Sequence, residues 1–483
     1  MHLRLTSRLP ITIVVCLAVA VATLLPVTSY WLRITSSEAA PSFDEQTFVR
    51  KVDLPANDLV VDPNTQTVYA SVPSTVLSNG NKIVPINPTT GALGTGVFVG
   101  SEPNKMGITD NGQVIYVALD GSGTVRTFDV ATQTPGQQIP LGTFNNSPLL
   151  ARDLAVQPGS TSTVAIQRST IDQSNQGIAI FDNAVQRASV VNTFSQQSIA
   201  FNTSDASKLY GLAFQALFRF AVSPGGVSNI SNNTVAGTGA AKFSAGRLYS
   251  SNGRIFNPDT GDLLGTFTSL GPDITNAFVI DSNVNRAYFI TAPFSTGFPV
   301  TATLRVFDTQ TFVPLGTFDI PNIVGTPNEM VRWGSNGLAF STNGSGVYLI
   351  QTTLIPSPDP VPSPTPTPTG TPTPTPTPPV ETAFVQPLSL NASDIIYDSV
   401  TQKIYASQPS SAGLTGNSII PITPTTATLG TPIFVGSEPN NLARSSDGQF
   451  IYVGLDGAAA VRRVNVATQQ ADLQFSLGFG QFS

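Results

Sequence analysis

The 483-residue chain contains one cysteine, Cys16, and one histidine, His2, and both lie in its first 30 residues. Downstream of them, disulfides, thiol nucleophiles, Ser/His/Asp triads, Cys/His zinc sites and histidine-ligated haem are excluded. Tryptophan is almost as scarce, with only Trp31 and Trp333. Charged residues make up 11% of the chain, and only Arg4, Arg8, Arg33 and Glu38 precede residue 41. The remainder therefore holds 20 basic and 28 acidic residues, a net charge of about −8. Such a surface repels nucleic acid. What the chain does have is 40 glycines, 39 prolines and 40% hydrophobic residues. That composition suits short strands separated by many turns and disfavours helical bundles and coiled coils.

The order of the N-terminus, Arg4 and Arg8 followed by an apolar run over 11–25, is that of a secretory signal. Two fates fit it. Small residues permit cleavage after Ser29 or after Ala39; alternatively, 11–27 is retained as a membrane anchor, at the short limit for a span. Ile13-Val-Val precedes Cys16 where a lipoprotein would carry Leu and small residues, so Cys16 reads as an ordinary apolar position. Either fate places the rest of the protein outside the cell or on its surface.

Between 356 and 380 proline alternates with threonine or serine. Each proline fixes its own φ and pushes its predecessor into extended conformations, so this run predicts a semi-rigid polyproline II spacer of up to about 75 Å. The sequence repeats itself on either side of the spacer. Residues 54–142 align with 390–478 at a constant offset of 336, with about half of the positions identical. Phe98-Val-Gly-Ser-Glu-Pro-Asn104 matches Phe434-Val-Gly-Ser-Glu-Pro-Asn440 throughout. This is a duplication.

Within the first copy a weaker period of about 40 to 48 residues predicts four short strands per unit. Units begin near Asp58, Asn104, Leu149, Ser198, Ala240, Asp273 and Asn328. Their strands lack a clean polar face, as expected of small sheets covered on both sides by neighbours. The last unit supplies only three strands, and Phe48-Val-Arg-Lys-Val-Asp-Leu54 is placed to provide the fourth. The resulting expectation is an all-β chain. It consists of a leader or anchor at 1–40, a seven-bladed β-propeller at 41–355, the spacer at 356–380, and an incomplete second propeller of about two blades at 381–483.

Asn104-Lys-Met-Gly-Ile-Thr-Asp-Asn-Gly-Gln-Val-Ile-Tyr-Val-Ala118, Gly123-Thr-Val-Arg-Thr-Phe-Asp-Val-Ala-Thr132 and Ser446-Asp-Gly-Gln-Phe-Ile-Tyr-Val-Gly454 resemble the YVTN-type β-propeller repeat of bacterial and archaeal surface proteins. The resemblance implies a propeller in an extracellular setting and no particular reaction. Lactonases and quinone-dependent dehydrogenases also use seven-bladed propellers. The lack of histidine and of repeated tryptophans argues against both. Trp333 reads as packing between blades.

Acidic turns at Asp62, Asp110, Asp281 and Asp447 lack the spacing of a calcium loop and read as turn chemistry, so no metal and no cofactor is expected. Glu102, Glu329 and Glu438 are the candidates for a carboxylate-pair hydrolase, but Glu102 falls in a loop between units. Uneven loops at 72–81, 168–176 and 292–302 share one face with the connections between units, which makes that face the expected ligand side. Glu102, Arg152, Arg168 and Arg332 are the residues expected near it, with no catalytic residue among them. The function expected is a secreted or surface-tethered module for binding, adhesion or envelope structure, with a protein or glycan ligand at the cell surface. A carboxylate-dependent hydrolase or lactonase is the alternative. The duplicate, with two open ends, is expected to be marginal, to associate or to be completed by another chain, and strands such as Phe450-Ile-Tyr-Val453 are expected to keep only part of their burial.

Overall fold

The computed structural model describes residues 47–477 except 193–195, 214, 236–238, 295–296 and 357–386. The predicted leader or anchor and nearly all of the Pro/Thr-rich spacer lie outside these residues. No helix among the described residues is long and apolar enough to cross a membrane.

The fold is almost entirely β, built of four-stranded antiparallel sheets that resemble propeller blades. The sheets follow one another along the chain and are numbered here in that order. Their first strands are Asp58–Val61, Pro103–Ile108, Leu150–Val156, Gln196–Asn202, Ala241–Ser244, Ile274–Asp281 and Pro327–Trp333. A two-stranded hairpin, Thr143–Phe144 with Ser147–Pro148, intervenes after the second sheet. Each predicted unit start lies within two residues of one of these strands. The eighth and ninth sheets, which begin with Asp394–Asp398 and Pro439–Arg444, come from the duplicate.

Strand chemistry explains the pattern locally. Val114–Leu119 is β-branched, aromatic and aliphatic, and all but its first residue are buried. Corners after the third strand reuse one device, an Asx turn. Asn87 Oδ1 accepts from Thr89 N (3.0 Å), Asp129 Oδ1 from Thr132 N (2.7 Å) and Asp308 Oδ1 from Thr311 N (2.8 Å). The residue that ends each of these corners has positive φ: Gly91 at 73°, Gln133 at 55° and Phe312 at 61°. A bulky Phe312 in that region is strained and must be held by its neighbours.

The seventh sheet obtains its outer strand from the N-terminus, as the sequence predicts. Phe48–Val52 pairs antiparallel with Gly346–Gln351, in a register running from Phe48 opposite Gln351 to Val52 opposite Val347. The corresponding stretch of the duplicate does not form a strand where it is described, at Pro387–Leu390.

The core consists of layers between adjoining sheets. Leu59, Val68 and Val84 of the first sheet pack with Trp333, Ala339, Val347 and Leu349 of the seventh, and Ile83 packs with Met106, Ile115 and Phe128 of the second. Similar layers join second to third, third to fourth, and fourth to fifth sheets, while one large cluster spans the fifth, sixth and seventh. Each fully buried Leu, Val or Phe contributes about 1.5–3 kcal/mol. First strands of successive sheets lie side by side from Asp58–Val61 round to Pro327–Trp333, which lies against Asp58–Val61 again.

The eighth and ninth sheets enclose their own layer of Tyr405, Ile419, Ile451, Val453 and Val464. The strand keeps part of its burial: Ile451 and Val453 are fully buried, while Phe450 and Tyr452 are half-buried, where Tyr116, the counterpart of Tyr452, is buried. Both outer faces carry exposed apolar residues: Ile395 is 62% exposed where its counterpart Leu59 is 2%, and Phe475 is 47% exposed where Ile139 is 2%. The duplicate also packs on the outer strands of the fifth and sixth sheets.

Candidate functional site

The first strands line a cavity of about 960 Å³ that contains Asp58, Lys105, Asp153, Lys242 and Glu329 together with Ser198, Asn276 and Asn328. Arg152, Ile171 and Gln173 extend it toward the loop 170–174.

The carboxylates of Asp58, Asp153 and Glu329 and the ammonium of Lys242 have definite partners. Asp58 accepts the Leu59 amide at Oδ1 (2.9 Å) and, across the sheet boundary, the Met106 amide at Oδ2 (2.7 Å). Asp153 repeats this between the third and fourth sheets, with Leu154 N at Oδ1 (2.9 Å) and Ile199 N at Oδ2 (2.7 Å). Ser198 Oγ accepts from Ala241 N at 2.6 Å. These side chains satisfy amides that the strand ladders leave free, and they tie consecutive sheets at the cavity wall. Lys242 forms an ion pair with Glu329 at 2.5 Å, donates to the Met330 carbonyl at 3.1 Å and lies 5.4 Å above the Phe278 ring.

The electrostatics follow from this crowding. Burial raises the Asp58 carboxyl from 3.8 to about 7, with Lys105 and the two amides opposing and Glu329 adding to the rise. Asp153 rises to about 6 for the same leading reason. Asp58 above all, then Glu329 and Asp153, hold the Lys105 ammonium charged well above its ordinary range against desolvation. The wall thus presents acid, base and acid in succession on the first three sheets.

Of the residues expected on the ligand side, only Arg152 lines this cavity, donating to the Gln173 carbonyl at 3.3 Å. Glu102 lies outside it, with its amide donating to Asn81 Oδ1 (2.8 Å) and its carboxylate accepting from Ser74 N (3.4 Å). Arg168 is drawn inward to the Leu141 carbonyl and to Gln186 Oε1, and burial lowers its pKa. Arg332 stands near the far end of its strand, bonded to Asp281 (2.9 Å) and to the carbonyls of Trp333, Gly337, Ser335 and Pro356. It joins the sixth sheet to the seventh and does not reach the cavity. Among the hydrolase candidates, Glu329 is in the cavity, while Glu438 accepts from Thr268 Oγ1 at 2.9 Å in the duplicate.

Asp58, Lys105, Asp153 and Lys242 were not singled out from sequence, although a signal existed. In several units a polar residue directly precedes the apolar residue that packs between sheets: Asp58-Leu59, Lys105-Met106, Asp153-Leu154, Ser198-Ile199 and Glu329-Met330.

The acidic turns bond to backbone. Asp62 Oδ1 accepts from Asn64 N (2.9 Å), Asp281 Oδ1 from Asn283 N (3.0 Å) and Asp447 Oδ1 from Gln449 N (3.0 Å). Asp110 instead bonds Gly159 N of the third sheet at 2.8 Å. Among the described residues no group of three or more His, Cys, Asp or Glu is arranged to hold a metal. No protein-family model matches this chain, and a search of curated proteins finds no match.

Proposed function

We propose that residues 46–352 close into a seven-bladed β-propeller, and that the exported chain is a surface-tethered or secreted module for binding, adhesion or envelope structure. The cyclic adjacency of the first strands, the borrowed N-terminal strand and the resemblance to YVTN-type repeats support the fold. In this reading the Pro/Thr-rich spacer carries a two-blade copy.

The observation that carries the functional reading is the commitment of three cavity carboxylates, those of Asp58, Asp153 and Glu329, to the fold. Both oxygens of Asp58 and of Asp153 accept backbone amides, and Glu329 is paired with Lys242. A hydrolase needs one carboxyl free to give a proton and another free to attack or activate water. The mouth, with Arg152, Gln173 and Ile171, suits the capture of a polar protein or glycan segment. Binding of the exported chain to glycan arrays and envelope fractions tests this. Arg152→Glu should lower affinity about tenfold without changing the melting temperature.

A second reading, an extracellular carboxylate-dependent hydrolase or lactonase, has one feature in its favour. Two carboxyls with raised pKa stand in a cavity, as general acids do. Turnover of glycoside, ester or lactone substrates that disappears in Asp153→Asn would establish it in place of the binding reading.

A further inference from the structure

The duplicate grips the rest of the chain through a surface that the first copy also has. Thr266 ends the outer strand of the fifth sheet, where its backbone groups would otherwise face solvent. Ser437 Oγ accepts from Thr266 N (3.2 Å) and donates to Thr266 O (3.1 Å). Around this contact, Thr266 Oγ1 donates to the Gly457 carbonyl (2.9 Å), Thr268 Oγ1 to Glu438 (2.9 Å) and Asn417 Nδ2 to the Thr311 carbonyl (2.6 Å). The Phe434 ring lies 6.2 Å from that of Phe312.

The counterparts 336 residues earlier are Phe98, Ser101, Glu102, Gly121 and Asn81, and they are shaped alike. The Glu102 amide bonds Asn81 Oδ1 at 2.8 Å as Glu438 bonds Asn417 at 2.9 Å. Gly121 N donates to the Ser101 carbonyl and Gly457 N to the Ser437 carbonyl, both at 3.2 Å. Glu102 and Glu438 have φ of 54° and 51°. Burial separates the two copies. Ser437, Asn417 and Gly457 are buried, while Ser101 and Gly121 are exposed and Phe98 is 59% exposed.

We propose that this first-copy surface is a preformed docking face for a second molecule of this chain, which it would engage at Thr266, Thr268, Thr311 and Phe312. The duplicate occupies that edge within each molecule and so restrains head-to-tail assembly. The contact joins two different patches, so once the edge is vacated it propagates from molecule to molecule. A tether of about 30 residues keeps the internal competitor at an effective concentration on the order of millimolar, which holds the intact chain monomeric at ordinary concentrations.

Three forms of the full exported chain test this by sedimentation equilibrium and small-angle scattering. Phe434→Arg with Glu438→Lys should undock the duplicate, enlarging the dilute molecule, and should raise the average mass about twofold or more with concentration. Adding Phe98→Arg with Glu102→Lys should leave the duplicate undocked and return the mass to that of a monomer. Thr266→Arg, which spoils the edge for both partners, should undock without association. The proposal is overturned if the first form stays compact, if it undocks but remains monomeric, or if association persists in either of the other two. Persistence there would assign association to the Ile395 and Phe475 faces instead.

Discussion

Asp58 reaches from the first sheet to the Met106 amide of the second at 2.7 Å, and Asp394 reaches from the eighth to the Leu442 amide of the ninth at 2.8 Å. The two bonds are related by the duplication offset. A single carboxylate thus fixes the spacing of two neighbouring sheets at their inner edge, where the strand ladders offer no bond between them. Ser71 and Ser407 repeat the same economy, donating to the Asn104 and Asn440 carbonyls at 2.7 Å.

Asp58→Ala leaves two buried amides without their acceptor and should destabilise the first seven sheets by about 1–3 kcal/mol. Asp58→Asn keeps an acceptor and should cost less. Trp333 is the only tryptophan after Trp31, so its fluorescence reports unfolding of these sheets alone in a chain lacking residues 1–40. Asp394→Ala should leave that transition in place. An unshifted urea midpoint for Asp58→Ala would remove the bond from any structural role.

Stability should depend on pH in a defined window. Asp58 and Asp153 have folded-state pKa values of about 7 and about 6, raised from 3.8. The native state therefore holds protons that the unfolded chain has released. The stability they contribute is fully present below about pH 4 and is lost as pH rises through about 6 and then 7. Melting temperature should rise on acidification from pH 8 to pH 5, and the slope should flatten in Asp58→Asn with Asp153→Asn. Carboxylates lowered by partners, such as Asp182 beside Arg187, act below this window, where falling pH costs stability. An equal slope in wild type and double variant would contradict the assignment.

Removal of 46–54 takes the outer strand from the seventh sheet and uncovers the edge of Gly346–Gln351. The Trp333 transition should move to markedly lower urea. A deletion that melts with the intact chain would mean that the strand is dispensable.

Gly337 faces the indole of Trp333 across the turn, and a Cβ there would meet ring atoms at 2.1 Å. Gly337→Ala should destabilise by about 1–3 kcal/mol and alter the Trp333 emission maximum. Gly344, with open space around it, is the control for steric crowding; its positive φ of 79° alone should make Gly344→Ala modestly unfavourable.

The repeat rhythm was legible because short strands alternate with turns whose chemistry is local. Asp129-Val-Ala-Thr132 announces its corner whatever surrounds it. The borrowed strand was legible by subtraction, since the last unit lacked one and Phe48-Val-Arg-Lys-Val52 was unassigned. The cavity was not. Its charges come from residues 47 to 89 positions apart in sequence, and their meeting depends on curvature that periodicity does not encode. Arg332 lies in a strand that the sequence predicts, and the end of the strand that it occupies faces Asp281 rather than the cavity. The docking of the duplicate was invisible for a different reason: Thr266 and Phe312 belong to a part of the first copy that the duplicate does not repeat.

The pairing of Phe48 with Gln351 brings the entry and exit of the first seven sheets to the same end of one strand pair. Force applied between an outward tether before residue 47 and the spacer after residue 356 would therefore load this ladder as a zipper, opening its bonds one after another from Phe48 toward Val52. A shear geometry would have loaded them together. The molecule's resistance to being pulled would then be set at its seam, with the remaining sheets bearing tension only after the seam has parted.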